Sequence, residues 1–386
     1  MTQHKPTSLH VQAYNFINLC RDDIVPFWAN HGVDRKQGGF YERLHFDGTP
    51  DLRTARRLRV TSRQIYAFAH ASVAGWVDER ALVNWAVDYL VSTPRHRDGA
   101  PGFVHLLDAD GSICDARRDL YDHAFHILAL SWAYRATGDA QILALAIETL
   151  AFVDEAMGCV KGGWQEGDAT ALPRRQNPHM HMFEALLALF EASGDTAYLN
   201  RAGDIAVLLA ERFTDQKTGL LFEDFDDDLV PIRPARIEPG HMAEWCWLLH
   251  KYAALKAEAP LDIALILGKH ADALAPKGQG FLLDGFDENL NILTPSRRLW
   301  GQTEWLKSML VRFEAGNEGM AVMADALLGR MHSSYFETTT PGLWMDKFDL
   351  QGVPLANHVP ASIVYHLASA ATEVERVMTS MEESAS

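Results

Sequence analysis

A short pattern built on glycine recurs six times along the chain, and no other feature limits the possible folds as much. Each glycine is followed by an aromatic residue or leucine and then, a few positions later, often by an acid. The copies are Gly39-Phe40-Tyr41-Glu42, Gly102-Phe103-Val104-His105, Gly163-Trp164-Gln165-Glu166, Gly219-Leu220-Leu221-Phe222-Glu223, Gly280-Phe281-Leu282-Leu283-Asp284 and Gly342-Leu343-Trp344-Met345-Asp346. The glycine-to-glycine steps are 63, 61, 56, 61 and 62 residues. Such a period marks a repeat architecture, in which one supersecondary unit cannot bury its own apolar face and a neighbour must cover it.

Between copies the sequence turns helical twice. Apolar side chains at three- and four-residue steps predict helices over Val60–Trp76 and Asp78–Ser92, Tyr121–Thr137 and Ala140–Met157, His179–Ser193 and Ala197–Phe213, His241–Lys256 and Leu261–Leu274, and Gln302–Phe313 and Glu318–His332. The last unit supplies only Ala361–Met378, and its missing partner is the N-terminal stretch Leu9–Trp28. Paired helices meet at turns such as Thr137-Gly138-Asp139 and Ser193-Gly194-Asp195, where glycine ends one helix and aspartate caps the next. Twelve helices in six pairs, closed by the N-terminal one, predict an all-α fold: an (α/α)6 barrel forming one domain over residues 1–386, with long loops and short hairpins at one mouth. An open superhelix of protein-binding repeats is the alternative. The long units, the loops all on one side and the absence of a Pro/Gly/Ser-rich linker favour the ring.

Composition narrows the function. Of 386 residues, 48% are hydrophobic and 22% charged, which is globular rather than disordered. The net charge, 35 − 51 = −16, disfavours a nucleic-acid binder. No apolar run reaches the roughly 18 residues that a membrane helix needs. Met1 to His10 lack a signal-peptide pattern, and Cys20, Cys114, Cys159 and Cys246 are scattered, never in C-x-x-C spacing. A cytoplasmic protein is expected, with Glu382-Glu383-Ser384 as a frayed tail.

The inner helices begin with polar residues at the same phase of each repeat. These are Arg63; Tyr121, Asp122, His123 and His126; Asn177, His179, His181 and Glu184; His241 and Glu244; Trp300 and Glu304; and His366. They should converge at one mouth as an active site, walled by Phe40, Trp164, Phe222 and Trp344 of the loops. Plainer roles compete. His241 and Glu244 could be a surface pair three residues apart, although Pro239-Gly240, Met242, Trp245, Trp247 and Leu248 around them favour a pocket. His181 and Glu184 repeat that spacing. His366 lies on a nearly apolar helix and could be a core histidine, and Arg63 could belong to an ion pair. Arg56, Arg57 and Arg59 read as a solvated loop, His126 and His250 as core or supporting groups, and Met180 and Met182 as core.

No metal or nucleotide cofactor is expected. H-E-x-x-H is absent, and the run Asp224, Asp226, Asp227, Asp228 lacks the glycine and terminal glutamate of a calcium loop. Neither a P-loop nor a serine elbow occurs, and Gly278-Gln279-Gly280 lies in a loop.

Taken together, Ser62-Arg63-Gln64, Asn177-Pro178-His179-Met180-His181-Met182-Phe183-Glu184-Ala185, Pro239-Gly240-His241-Met242-Ala243-Glu244-Trp245, Trp300-x-x-x-Glu304 and Tyr365-His366 resemble the N-acylglucosamine 2-epimerase superfamily over essentially the whole chain. The resemblance implies an (α/α)6 barrel and interconversion of sugars by moving the proton beside a carbonyl, without a catalytic metal. It implies that His241 and His366 are the acid/base pair and that Glu244 orients His241. Arg63 and His181 would bind the oxygens of the opened sugar, and Tyr121, Asn177, Glu184, Trp300 and Glu304 would complete the pocket. Imidazoles titrating near about 6.5 can both remove and return such a proton at neutral pH.

Either isomerisation or epimerisation fits two histidines. The Glu244-Trp245 step and Val359-Pro360-Ala361-Ser362 before His366 are most similar to the mannose and sulfoquinovose isomerase branch, and D-mannose to D-fructose is the expected reaction. A sulfonated or phosphorylated sugar would need an anion clamp, for which Arg233, Arg236, Arg297 and Arg298 are available, whereas Ser362 favours a neutral hexose. Two other classes stay open: an inverting glycoside hydrolase using Glu184, Glu244 and Glu304, with carboxylates about 6.5–9.5 Å apart, and a non-catalytic protein-binding toroid. The expected partner is a monosaccharide, with no nucleic acid or membrane, and a homo-oligomer is compatible with the sequence.

Overall fold

Aspartate caps and left-handed glycines set the helix boundaries. Asp139 and Asp195 accept the backbone N–H of Gln141 and Ala197, each at 2.9 Å, opening outer helices. Gly138 (φ 75°) and Gly194 (φ 74°) end the inner helices that precede them, a conformation L side chains rarely adopt. The computed structural model describes residues 8–385 except 93–94, 96–97, 169–171, 277 and 279. Its helices are α1 (Ser8–Asn18), continued through a π turn at Leu19–Ile24 into α2 (Val25–His31), α3 (Leu58–Val73), α4 (Arg80–Ser92), α5 (Leu120–Thr137), α6 (Ala140–Met157), α7 (Gln176–Ser193), α8 (Thr196–Leu208), α9 (Pro239–Lys256), α10 (Asp262–Leu274), α11 (Leu299–Glu314), α12 (Gly319–Tyr335) and α13 (Val364–Ala385). A second π turn, Leu209–Phe213, extends α8, and a 3₁₀ turn, Ala361–Ile363, leads into α13.

The architecture is an (α/α)6 barrel. Helices α3, α5, α7, α9, α11 and α13 form the inner ring, each packing on the next, and α13 returns to α3. The N-terminal rod packs on α12 and α13, completing the sixth pair as the repeat count requires. Inner helices are buried nearly all round, which is why α5 and α9 show no single apolar stripe, whereas outer helices bury one face. Gln279 of the G-x-G segment and residues 1–7 lie outside the described residues. The acidic tail is not frayed: α13 runs through it, and the Tyr14 hydroxyl of α1 donates to Glu382 at 2.6 Å.

Short antiparallel pairings stitch the repeats together at one mouth. Arg43 pairs with Pro360, Arg57 with Leu106, Asp119 with Gly167, Arg175 with Asp224, Ile237 with Phe286 and Arg298 with Lys347, so every seam of the ring is crossed once. The first N–H of an inner helix then donates to a carbonyl of the adjoining repeat: Leu58 to His105, Leu120 to Glu166, Gln176 to Glu223, Leu299 to Asp346, and Ala361 to Glu42 across the closing seam. Pro239 occupies the equivalent place in α9 and has no N–H to give.

The repeat aromatics do not wall the site. Phe40 packs on Phe68 and Trp85, Trp164 on His179, and Trp344 on Trp28, all wedged between inner and outer helices. Phe222 is equally buried and carries the Arg233 guanidinium on its face. His123 and His179 hold the wedges in place. Their Nε2 atoms accept the backbone N–H of Phe103 (3.2 Å) and Trp164 (3.0 Å), while Nδ1 donates to the carbonyls of Asp119 and Arg175. Burial lowers both imidazoles to about 4, so they are neutral structural pins rather than site groups. A Cβ on Gly163 would stand 2.3 Å from that His179 nitrogen, which explains the glycine in the repeat.

Candidate active site

The N-terminal turns of the inner helices surround a cavity of about 780 Å³, lined by Arg63, Tyr121, Asn177, His181, His241, Glu244, Trp300 and His366 among others. Six positions after the residue preceding each inner helix stand Arg63, Phe125, His181, Glu244, Glu304 and His366. One layer of the ring thus brings together most of the residues that the sequence singles out. Glu184 and Glu304 are buried behind this lining and act through their neighbours.

Four histidines at this mouth have Nδ1 held by a carboxylate. The pairs are His105–Asp122 (2.6 Å), His181–Glu184 (3.1 Å), His241–Glu223 (3.0 Å to each oxygen) and His366–Glu304 (2.8 Å). In each, Nε2 is left for a ligand or a proton, the arrangement that fixes tautomer and ring orientation. The groups Glu223/Glu238/His241, Glu244/Glu304/His366 and His181/Glu184/Glu244 each place ligand atoms within 4.8 Å of one another, close enough to hold a cation.

The expected partner of His241 is corrected. Glu223, not Glu244, holds its Nδ1, with Glu238 at 3.9 Å. Glu223 is itself fixed by the Gln176 amide (2.9 Å), whose oxygen accepts the Trp245 indole N–H at 2.7 Å. Glu244 lies one turn further into the barrel and belongs with Glu304 and His366. Its burial and the Glu304 charge push its carboxyl well above the usual range, and its Oε1 has no hydrogen-bond partner among the described residues.

The pKa values of the two principal histidines are shifted in opposite directions. Burial would lower the pKa of His241, but the carboxylates of Glu223 and Glu238 outweigh it and hold the imidazole above its ordinary value. Burial lowers His366 well below that value, reinforced by the positive charges of Arg63, Lys307 and His181. The Glu304 carboxylate beside it is shared with Lys307, whose fully buried ammonium lies 2.7 Å away and 3.4 Å from the centroid of Trp247. Trp300 stands between the two imidazoles, its ring centroid 5.0 Å from His241 and 5.8 Å from His366. Gly240 permits this, since a Cβ there would meet the Trp300 ring at 2.7 Å.

Arg63 has no carboxylate partner. Its Nη2 donates to the Tyr121 hydroxyl at 2.7 Å, Nη1 to the Ser362 carbonyl at 3.3 Å, and its plane lies 4.2 Å from the Phe125 centroid. The ion-pair role is therefore not the one it plays, and its Nε, like Asn177 Oδ1, has no protein partner. Glu184 accepts the Tyr365 hydroxyl at 2.6 Å, tying His181 to the helix that carries His366.

Arg56, Arg57 and Arg59 are not a solvated loop. Arg56 pairs with Asp34 and Arg57 with Glu42, and Arg59 pairs with Asp122 at 2.8 Å. Arg57 and Arg59 line the cavity, as do Arg117, Arg118, Arg175, Arg236 and Arg298. Of the four arginines expected as an anion clamp, Arg297 is instead stacked among Phe281, Tyr335 and Phe348, and Arg233 pairs with Glu288 outside the lining. Sequence reasoning missed Glu223, Glu238, Lys307 and His105, the partner of Asp122, as site groups. Glu223 and His105 stood in the repeat pattern, and that shared phase was the available signal.

A second cavity, of about 980 Å³, opens at the other end of the ring, lined by later turns of the same helices, including Tyr66, His70, Trp132, Glu184 and Lys251. A fully buried layer containing Glu304, Lys307 and Tyr365 lies between the two. No helix among the described residues is long and apolar enough to cross a membrane.

A family model described as N-acylglucosamine 2-epimerase matches residues 39–370. The chain is 33% identical to a mannose-6-phosphate isomerase of Rhizobium meliloti over 97% of its length and 99% of that protein. It is 28% identical to a D-mannose isomerase of Thermobifida fusca over 87% and 91% of the two chains. Among solved structures, a D-mannose isomerase superposes with a TM-score of 0.85 at 22% identity, covering 97% of this chain and all of the other.

Proposed function

The chain belongs to the N-acylglucosamine 2-epimerase family, and from that premise we propose that it is an aldose–ketose isomerase converting D-mannose into D-fructose. The observation that carries the proposal is the pair of imidazoles on either side of Trp300, each with Nδ1 held by a carboxylate, one with its pKa raised and the other with its pKa lowered. Environments that push two titratable groups apart assign acid and base. In the open-chain aldose, Nε2 of neutral His366 takes the C2 proton. The freed electron pair forms the C1–C2 double bond, and the carbonyl pair moves to O1, which takes a proton from His241. The enediol then gives its O2 proton to His241 as the C2 carbonyl forms, and C1 takes back the proton held by His366. Both histidines end as they began. Arg63, free of any carboxylate, stabilises negative charge on the reacting oxygens, a contribution of roughly 3 kcal/mol for one such donor. Glu223 and Glu304 position the two imidazoles, and Trp300 offers a flat apolar face to the sugar carbons.

A second reading has its own observation. Six arginines beyond Arg63 and Arg118 face the cavity of a chain whose net charge is −16, each leaning on a carboxylate behind it. A phosphorylated mannose would satisfy that rim, in keeping with the name of the Rhizobium meliloti relative. All four cysteines are free, which suits the reducing cytoplasm where we place the reaction.

Proton NMR of the purified protein with D-mannose in D2O, with chelator present, tests the proposal. Fructose is expected, carrying deuterium at C1 to the extent that the proton on His366 Nε2 exchanges with solvent before it is returned. Glucose forming ahead of fructose would replace isomerisation by 2-epimerisation. Turnover of mannose 6-phosphate alone would establish the second reading, and inertness toward both sugars would overturn the assignment.

A further inference from the structure

Six equivalent positions, one per repeat, close the glycine pattern: Glu42, His105, Glu166, Glu223, Asp284 and Asp346. Five of these side chains are engaged. Glu42, Glu166 and Asp284 accept the backbone N–H of the residue preceding their own inner helix, Arg57 (3.0 Å), Arg175 (2.6 Å) and Arg298 (3.0 Å). His105 binds Asp122, and Glu223 binds His241. For Asp346 the corresponding residue is Pro360, which has neither an N–H nor a guanidinium to offer. Its side chain makes no hydrogen bond among the described residues, and its Oδ1 is buried without a partner. The residue nonetheless lines the cavity. The Leu299 N–H donates to its carbonyl at 3.0 Å, which fixes it beside the first turn of α11, next to Trp300.

Asp346 is half-buried, and a carboxylate with one oxygen enclosed and unpaired is costly unless a ligand satisfies it. Its burial raises it to about 6, with Arg298 opposing and Asp284 adding to the rise, so it is largely ionised at neutral pH and accepts hydrogen bonds without donating them. Sugar carbons resting on Trp300 would present their hydroxyls to the other oxygen, Oδ2, which is neither hydrogen-bonded nor enclosed among the described residues. We propose that Asp346 is a substrate-binding residue that accepts a hydroxyl of the sugar remote from the C1–C2 pair and so sets which hexoses the site takes. The inference rests on the isomerase reading for its substrate and on the ring geometry for its residue.

The test compares wild type with Asp346→Asn on D-mannose and on mannoses lacking one hydroxyl at C3, C4 or C6, with melting temperatures read alone and with each sugar at saturation. For D346N, kcat/KM should fall about tenfold to a hundredfold, mostly through KM, as for a lost hydrogen bond to a charged acceptor. Melting of the unliganded protein should be unchanged or raised. One deoxy sugar should be poor for wild type yet lose little further in the variant, the non-additivity of a direct contact. Equal losses on every sugar, unchanged KM, or a lowered melting temperature with normal kinetics would overturn the proposal. If wild type turns over neither mannose nor its phosphate, the isomerase reading fails by itself. The sugar-induced melting shift then decides: its loss in D346N supports the contact, and its retention, or its absence from wild type, overturns it.

Discussion

The first, third and fifth repeats treat their acid differently from the second, fourth and sixth. In the first set the residue before the inner helix is arginine (Arg57, Arg175, Arg298), and the acid is consumed in capping that helix and pairing with that side chain. In the second set the residue is Asp119, Glu238 or Pro360, and the equivalent group is released toward His241, Asp122 or the cavity. One scaffold position therefore does two jobs, chosen by a residue nine to fifteen positions later. Both proposed proton-transfer histidines, His241 and His366, sit on helices of the second set, while the first set supplies Arg63, His181 and Trp300, proposed here to hold the substrate. On this proposal stability rests with one alternating set of repeats and proton chemistry with the other.

Replacing a proton-transfer histidine should break this division most visibly. His366→Asn or His241→Asn is expected to lower kcat by about a thousandfold, within the usual range for a lost general acid or base, while circular dichroism and melting temperature stay close to wild type.

Glu223→Gln sharpens the division. We expect kcat/KM to fall by about tenfold to a hundredfold, with a change in its pH profile. His366 must be neutral, so activity falls as pH drops below its lowered pKa; His241 must be protonated, so activity falls as pH rises above its raised one. Removing the Glu223 charge should move the alkaline limb to lower pH and leave the acid limb in place. An unmoved alkaline limb would detach Glu223 from His241.

The smallest effects belong to the other half. Glu42→Gln or Asp284→Asn should cost about 1–2 kcal/mol of stability through the lost cap and charge pair, measured by urea unfolding, with neither pH limb displaced. A shifted limb in either variant would erase the distinction between the two sets.

The barrel was legible in the sequence because a sixty-residue period and 3.6-residue apolar spacing are properties of the chain alone. Helices α6 and α10 fall within a residue of their expected limits for that reason. The convergence of Arg63, His181, His241 and His366 followed from their common phase. Partnership was not legible. Arg57 finds Glu42 15 residues away and Arg59 finds Asp122 63 away, so an arginine-rich stretch passes for a loop when its counter-charges lie far from it along the chain. The family resemblance assigns Glu244 to orienting His241, yet a residue 18 positions before His241 reaches its Nδ1 because the repeat's strand returns over the start of its own inner helix. Burial of Lys307 beside Glu304 lay equally out of reach, since a lysine three residues after a glutamate reads as a surface pair.

The buried layer of Glu304, Lys307 and Tyr365 floors the active-site cavity and parts it from the cavity at the other end of the ring, so the barrel is no tunnel. Product and incoming substrate then share a single doorway, so neither can be fed through in sequence, and emptying the site sets a ceiling on traffic that faster proton transfer cannot lift.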